Sequence, residues 1–219
     1  AAAAEVRGWG RRRLRLWNPA TGLSGSEFAI FNLAGPDKAI PLAQSIGPEI
    51  TSDLGEFRMQ DMVLHEVVEW DVPVSYKAIV DGFNEVYHVT ELHHVPPEFT
   101  KAARCSSFHV VGDNFMCFVP RPAHLDELGS EDFDHHRHSI CHYVVFPNTV
   151  FNCNPEHIQV FQPIPLAVDR TRFLCWEIVY PGDRNDPAKR ALHAVLVGST
   201  RKAINRAIFD ALKHHFGAE

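Results

Sequence analysis

The chain has 219 residues, is 45% hydrophobic and 22% charged, and carries a net charge of −6. This length corresponds to one domain or at most two, and the composition is that of a globular protein able to bury a core. The charge offers no basic surplus for nucleic acid, and no apolar run is long enough to span a membrane.

The first 25 residues are predicted to connect a missing N-terminal domain to the domain formed by residues 26–219. The chain starts with four alanines instead of an initiator Met, and a basic tract follows at residues 9–17. This tract lacks the long apolar segment of a secretory signal, although a transit peptide is an alternative.

The next segments predict strands and helices in alternation. Residues 26–33 have the pattern of a buried strand, and residues 36–54 that of a helix broken by two prolines. Residues 57–72 predict a long strand. A helix should begin at about Ser75, a good N-cap residue, and present an apolar stripe. The stripe consists of Ile79, Val80, Phe83 and Tyr87.

The second half of the chain predicts a sheet followed by a helix. Turn residues separate several strand-like runs, and a long C-terminal helix should extend from Asp186 to about His215. This order favours an α+β fold in which one curved antiparallel sheet grips a helix over a cavity. The predicted strands are residues 108–111, 114–119, 142–151, 157–161 and 171–180.

The number and spacing of the cysteines indicate the redox state of the cellular compartment. The five cysteines are scattered and form no Cys-x-x-Cys pair. This pattern is typical of reduced thiols in a cytoplasmic protein rather than of a disulfide framework. Those inside apolar runs, such as Cys117, are predicted to be small core residues.

The segment 85–94, Glu-Val-Tyr-His-Val-Thr-Glu-Leu-His-His, contains candidate metal ligands. Neutral imidazoles bind Fe, Zn, Ni and Cu, so the pair His88 and His93 selects no metal by itself. Positions five apart lie about 140° apart around an ideal helix, so the helix must distort or end between them to bring both to one ion. We expect that break near the β-branched pair Val89–Thr90. In a chain with 14 histidines, polar residues at a helix end are the alternative interpretation.

A wider pattern surrounds this pair. In chain order its residues are Asp81, Phe83, Glu85, Tyr87, His88 and His93. The order resembles the iron-binding signature in the catalytic domain of Rieske-type non-haem iron aromatic-ring-hydroxylating oxygenases. The resemblance implies a helix-grip, START-like domain that uses O₂ for the mono- or dioxygenation of a hydrophobic, aromatic or polycyclic substrate.

The resemblance also implies the roles of individual residues. His88 and His93 would hold a mononuclear Fe(II), and Glu85 would stand where the family passes electrons from a Rieske cluster to an iron ligand. A Rieske [2Fe–2S] centre needs Cys-x-His and Cys-x-x-His segments, and neither spacing occurs here. The cluster is therefore expected in a domain absent from this chain. The resemblance implies that a ferredoxin or reductase supplies the electrons. It also implies a homotrimer in which the cluster comes from the neighbouring subunit.

The third iron ligand implied by the resemblance is a carboxylate from the C-terminal helix. Two histidines and one carboxylate on one face of iron leave adjacent positions open. Beyond residue 200 the only acids are Asp210 and Glu219. We select Asp210, although it projects away from the apolar face of its helix. An ordinary solvated Asp210, a Glu219 ligand and a carboxylate past the chain end are the alternatives.

Other functions and sites stay open. A metal-free helix-grip module could carry a hydrophobic ligand, and a hydrolase could bind zinc at the same His pair. The segment from Glu131 to His138, with His142 soon after, is also dense in potential ligands. Its polar character favours a solvated loop over a second metal site or a lid.

Overall fold

The computed structural model describes residues 12–16, 26–30, 42–91, 95–182 and 186–189. For residues 12–16, 26–30, 42, 43 and 91, only the backbone is described. His93, Asp210, Glu219 and most of the predicted C-terminal helix lie outside this part. At the start of that helix, the Asp186 carboxylate accepts a hydrogen bond from the backbone N–H of Ala188 at 2.8 Å, as an N-cap does.

The described residues form an α+β fold, which confirms the predicted class. Short 3₁₀ turns at Met59–Asp61 and Pro122–Glu127 accompany the helices. The helices are α1 (Leu42–Ile46), α2 (Pro48–Glu56), α3 (Tyr76–Phe83), α4 (Tyr87–Glu91), α5 (Pro97–Arg104) and α6 (His135–His138). The strands are β1 (Arg12–Leu16), β2 (Ser26–Ile30), β3 (Val63–Val72), β4 (Ser107–Val111), β5 (Asn114–Pro120), β6 (Ser139–Val145), β7 (Thr149–Cys153), β8 (His157–Ala167) and β9 (Arg170–Val179).

Seven strands form one curved, open antiparallel sheet in the order β3-β9-β8-β7-β6-β5-β4. From β4 to β9 each strand pairs with the next one along the chain, so most of the sheet is a series of hairpins. β3 closes the other edge beside β9. β1 and β2 pair separately, which joins residues on both sides of the predicted boundary at residue 25.

The sequence predicted two strands with the wrong extent. The run 142–151 is divided into β6 and β7 by a turn at residues 146–148, because Pro147 lacks the N–H that a strand pairing needs. The long strand predicted from Phe57 begins only at Val63. Phe57 ends α2 instead, and Arg58 adopts a left-handed conformation with φ of 47° that turns the chain.

Both faces of the sheet are covered by helices. On one side, which we call the α2 face, Ile50 and Leu54 of α2 pack against residues such as Tyr143. On the other, the α3 face, Ile79 of α3 packs in a cluster that contains Phe161. Burying a side chain of this size stabilises the fold by about 1.5–3 kcal/mol. The sheet therefore grips a helix as predicted, and the α3 face is where that helix lies.

The predicted helix start is confirmed, but the helix is shorter than expected. The Ser75 hydroxyl accepts a hydrogen bond from the backbone N–H of Lys77 at 3.3 Å, so Ser75 is the N-cap of α3. α3 ends at Phe83, and Tyr87 begins a separate helix, where it is 71% exposed. Tyr87 therefore does not belong to the buried stripe, because the chain turns before it.

All five cysteines are free, and four of them are buried, in agreement with the prediction of reduced core residues. None of the helices in the described ranges has the length and hydropathy needed to cross a bilayer.

The aromatic packing on the α3 face generates a stability prediction. Phe173 is completely buried, and its ring lies 5.6 Å from that of Phe161 and 5.8 Å from that of Trp70. Replacing it in Phe173→Ala leaves a cavity, so the free energy of unfolding should fall by about 3–5 kcal/mol. Urea denaturation measures this loss.

The matched control is Val168→Ala, at a side chain that is 92% exposed, where a change below about 0.5 kcal/mol is expected. A Phe173→Ala protein as stable as this control would contradict the assigned core.

Candidate metal centre

The Glu85 carboxylate makes two contacts to the same histidine. Its Oε2 accepts a hydrogen bond from the backbone N–H of His88 at 3.0 Å, which caps the first turn of α4. Its Oε1 contacts Nδ1 of the His88 ring. One carboxylate therefore determines both where α4 begins and how the imidazole is oriented.

This arrangement fits a metal ligand. A histidine that binds a metal usually bonds its second ring nitrogen to a carboxylate or carbonyl, which sets its tautomer and direction. With Nδ1 of His88 facing Glu85, Nε2 is on the opposite side of the ring, where a metal would bind. The His88 side chain is 23% exposed and that of Glu85 is 18% exposed, so the pair is largely shielded from water. An imidazole held in this way suits Fe(II) chemically.

The helix is intact at Val89–Thr90 and is described as far as Glu91, while residues 92–94 lie outside the described residues, so a helix end before His93 stays a prediction. Residues 84–86 separate α3 from α4, and α4 continues through both β-branched residues to Glu91. The Thr90 hydroxyl donates to the carbonyl oxygen of Tyr87 at 2.9 Å, a bond that this side chain makes readily within a helix. The cap supplied by Glu85 outweighs the weak helix aversion of two β-branched residues.

Two predicted ligands, His93 and Asp210, lie outside the described residues, and so does Glu219. Their roles stay predictions. Of the predicted site residues, the structure brings together Glu85 and His88.

A histidine that the sequence grouped with the segment from Glu131 to His138 lies near this pair instead. The ring of His142 on β6 stacks on Phe83, the last residue of α3, with centroids 5.5 Å apart. Its Nδ1 is 3.3 Å from Oδ1 of Asn152, while its Nε2 is buried without a hydrogen-bond partner among the described residues. Desolvation lowers the pKa of His142 to about 4; the Asn152 contact opposes this shift and the charge of His88 adds to it. His142 is therefore a neutral hydrogen-bonding group near His88.

His142 begins a row of polar side chains that crosses the α3 face. Strand register aligns one polar residue on each of five neighbouring strands. Asn152 donates from Nδ2 to Oε1 of Gln159 at 3.1 Å, and Gln159 hydrogen-bonds to Glu177. We call this set the polar row: His142, Asn152, Gln159, Glu177 and Glu66.

The far end of the polar row contains a buried acid. Glu177 is completely buried, and Nε2 of His157 lies 3.8 Å from its Oε1. Burial raises the pKa of Glu177 to about 8; the hydrogen bond from Gln159 opposes this shift and the charge of Glu66 adds to it. Glu177 is consequently protonated at neutral pH and adds a neutral polar group to an otherwise apolar face.

The segment predicted to be a solvated loop is only partly one. Glu131 and Asp132 are exposed, but the chain from His135 forms the helical turn α6. His135 and His136 contact Asp53 of α2, whose other oxygen accepts a hydrogen bond from Tyr143. Sequence reasoning missed this group because its members are far apart along the chain.

Comparison with known proteins places these features in a family. A family model described as "Ring hydroxylating alpha subunit (catalytic domain)" matches residues 59–206, which include the Glu85–His88 pair and the whole seven-stranded sheet. No curated protein sequence matches the chain.

Solved structures show the same fold. The apo form of the quaternary ammonium Rieske monooxygenase CntA is similar with a TM-score of 0.65 and 12% identity, covering 95% of this chain and 50% of that one. CntA in complex with L-carnitine is similar with a TM-score of 0.60 and 15% identity, and the match covers 88% of this chain and 47% of that one. A naphthalene 1,2-dioxygenase variant bound to phenanthrene is similar with a TM-score of 0.50 and 16% identity, and the match covers 83% of this chain and 47% of that one. The chain thus spans about half the length of these structures and has the fold of Rieske oxygenase catalytic domains.

The raised pKa of Glu177 predicts a pH-dependent stability. The folded protein retains this proton up to about pH 8, whereas the ordinary pKa in the unfolded chain is about 4.5. Unfolding therefore releases a proton in this window, so stability falls as the pH rises through it. Glu177→Gln removes the titration and should lose this part of the pH dependence. Relative to Glu177→Gln, the wild type should be destabilised by up to about 5 kcal/mol at pH values above the window.

Urea denaturation between about pH 5 and pH 9 measures the difference between the two proteins. Glu131→Gln, at an exposed glutamate, is the control and should leave the pH profile unchanged. If the free energies of unfolding of the wild type and Glu177→Gln differ by the same amount at every pH in this range, the raised pKa assigned to Glu177 is wrong.

Proposed function

The chain belongs to the family of ring-hydroxylating alpha subunits, in their catalytic domain, and on that basis we propose that it performs the O₂-dependent hydroxylation of a small, mainly hydrophobic substrate at a mononuclear Fe(II). The observation that carries this proposal is the Glu85–His88 pair. It supplies an imidazole whose Nδ1 is held by a carboxylate, at the start of a helix and within the matched residues.

The proposed ligands are His88, His93 and Asp210. Two imidazoles and one carboxylate leave iron positions for O₂ chemistry, which is what the metal would supply when bound. The residues of this chain hold and orient the site: Glu85 sets the direction of the His88 ring, and His142 offers a neutral hydrogen-bonding nitrogen nearby.

We further propose that Glu85 lies on the route by which electrons reach the centre. It contacts His88 directly and keeps 18% of its side chain exposed, so a partner surface could approach it. The donor would be a Rieske [2Fe–2S] cluster outside the described residues, supplied by the neighbouring subunit of a cytoplasmic homotrimer and reduced by a ferredoxin or reductase. Residues 1–25 would connect the two domains.

The α3 face suggests the character of the substrate. Phe83 supplies an aromatic surface at the end of α3, and the polar row begins beside it at His142. We infer a substrate with an apolar body, such as an aromatic or polycyclic one, and one polar group that hydrogen-bonds to His142. A metal-free module carrying a hydrophobic ligand is the alternative, and metal analysis separates the two.

Iron content tests the centre. His88→Ala removes a proposed ligand, so iron should fall from near one per chain in the wild type, with an affinity at least about tenfold lower. The matched control is His109→Ala, at an exposed histidine of β4. Its register partner Met116 belongs to the core of the α2 face, so His109 lies on the side of the sheet away from His88. Metal analysis of both proteins that shows unchanged iron in His88→Ala would rule out this ligand. A wild type without iron would support the metal-free module.

Glu85→Gln tests the orienting carboxylate. The amide keeps the size of the side chain but loses its charge, so product formation should fall by about 10–100-fold while substrate affinity is retained. Substrate binding and product formation are measured on iron-loaded protein supplied with a reduced Rieske electron donor. Glu127→Gln, at a glutamate that also contacts a histidine, is the control and should retain full activity. Equal rates in Glu85→Gln and the wild type would remove Glu85 from the proposed role.

A further inference from the structure

A second group of metal-binding side chains lies on the α2 face, across the sheet from His88. Asp53 of α2 meets two consecutive histidines of α6. Its Oδ1 is 3.0 Å from Nε2 of His135 and 2.9 Å from Nε2 of His136. The three ligand atoms all lie within 4.8 Å of one another. We propose that this group, the Asp53 trio, binds a Zn²⁺ ion independently of the iron centre.

The donor set suits zinc. Zinc accepts imidazole nitrogens at about 2.0–2.1 Å and carboxylate oxygens at about 2.0–2.2 Å, and three protein ligands leave a further position for water. Two ligand atoms at these bond lengths are roughly 3.4 Å apart at the tetrahedral angle that zinc prefers. Oδ1 of Asp53 is 3.0 Å from one Nε2 atom and 2.9 Å from the other. A shift of about 0.5 Å in these side chains would therefore admit an ion.

Neighbouring polar groups contact two ligands of the trio, Asp53 and His136. The hydroxyl of Tyr143, which is completely buried, donates to Oδ2 of Asp53, so Oδ1 is the oxygen turned toward the histidines. Oδ1 of Asp134 lies 3.6 Å from Nδ1 of His136, the ring nitrogen that does not face Asp53. Carboxylates and hydroxyls behind the ligands are what metal sites use to set ligand direction.

Aromatic packing limits the movement of both imidazoles. The ring of Phe57 meets the ring of His136 edge-on at 5.2 Å. The ring of Phe118 lies 4.7 Å from that of His135. The ligands are therefore held in place before an ion arrives, which lowers the entropy cost of binding one.

His136 supplies the observation that points most directly to a ligand. Its Nε2 is buried and forms no hydrogen bond in the structure, although Oδ1 of Asp53 is only 2.9 Å away. Buried polar atoms in proteins are almost always satisfied, and an orphaned one calls for an explanation. A cation bound by Nε2 of His136 and Oδ1 of Asp53 would give this nitrogen a partner, whereas Oδ1 is already 3.0 Å from Nε2 of His135.

A neighbouring group serves as an internal comparison. His124, Glu127 and His138 also lie close together, but the two imidazoles are stacked almost parallel, at 14° and 4.2 Å. Imidazole lone pairs lie in the ring plane, so parallel rings do not aim at one ion. In the Asp53 trio the two rings are tilted by 37° and their lone pairs can converge.

Zinc in the trio would join parts of the chain that are distant in sequence. Asp53 and His135 are 82 positions apart, and α6 leads directly into β6, an interior strand of the sheet. The ion would thus tie α2 to the sheet. Because the ion binds only the folded chain, it should raise the melting temperature.

The test is zinc titration of the iron-loaded wild-type chain. We expect one additional tightly bound zinc per chain by metal analysis. The melting temperature should rise by about 5 °C or more at zinc concentrations about 100-fold above the dissociation constant. In Asp53→Asn, which keeps an oxygen for Tyr143, and in His136→Gln, the affinity for this zinc should fall at least about tenfold, with little melting shift.

Two controls locate the ion. His88→Ala and Glu127→Gln should both retain the additional zinc, because neither residue belongs to the trio. If Asp53→Asn fails to fold, His135→Gln replaces it, since that side chain is 39% exposed. No additional zinc in the wild type would mean that the trio is a hydrogen-bonded network, and loss of zinc in Glu127→Gln but not in His136→Gln would place the ion elsewhere. Either result overturns the proposal.

Discussion

The packing of Phe83 against the sheet determines where the candidate iron centre lies. Phe83 is the last residue of α3, and its ring stacks on Phe161 at 5.1 Å and on His142 at 5.5 Å. Because this anchor ends the helix, the chain turns at once and presents Glu85 and His88 beside the sheet. Without it, the cap at α4 would still form locally but would have no defined position over the α3 face.

The antiparallel register of the sheet extends the consequences of that anchor. Side chains alternate between faces along each strand, so the same register assembles apolar cores on both faces and aligns the polar row on one of them. A slip of one residue in β9 would move Glu177 to the α2 face and bring Trp176 toward the α3 face. The two proposed metal sites are separated by the same sheet, which is why variants in one are suitable controls for the other.

Sequence reasoning succeeded where neighbours within a few residues decide the structure. Ser75 caps α3 as its position predicted, and the hairpin strands β4 and β5 lie close to the predicted ranges. It failed at residues 146–148, where a turn splits a continuous apolar run. It also failed at Phe57, which ends α2 instead of beginning β3. In each failure a turn outweighed a weak intrinsic preference.

The sequence by itself determined the α+β class, the family resemblance and the Glu85–His88 pair, because each depends on the order and spacing of residues close together in the chain. Only the tertiary structure decided that His142 stands near His88, that Glu177 is buried, and that Asp53 meets two histidines of α6. These contacts join distant segments. Local periodicity tells which residues of one strand share a face, but the register and packing that bring separate elements together are set by the fold as a whole.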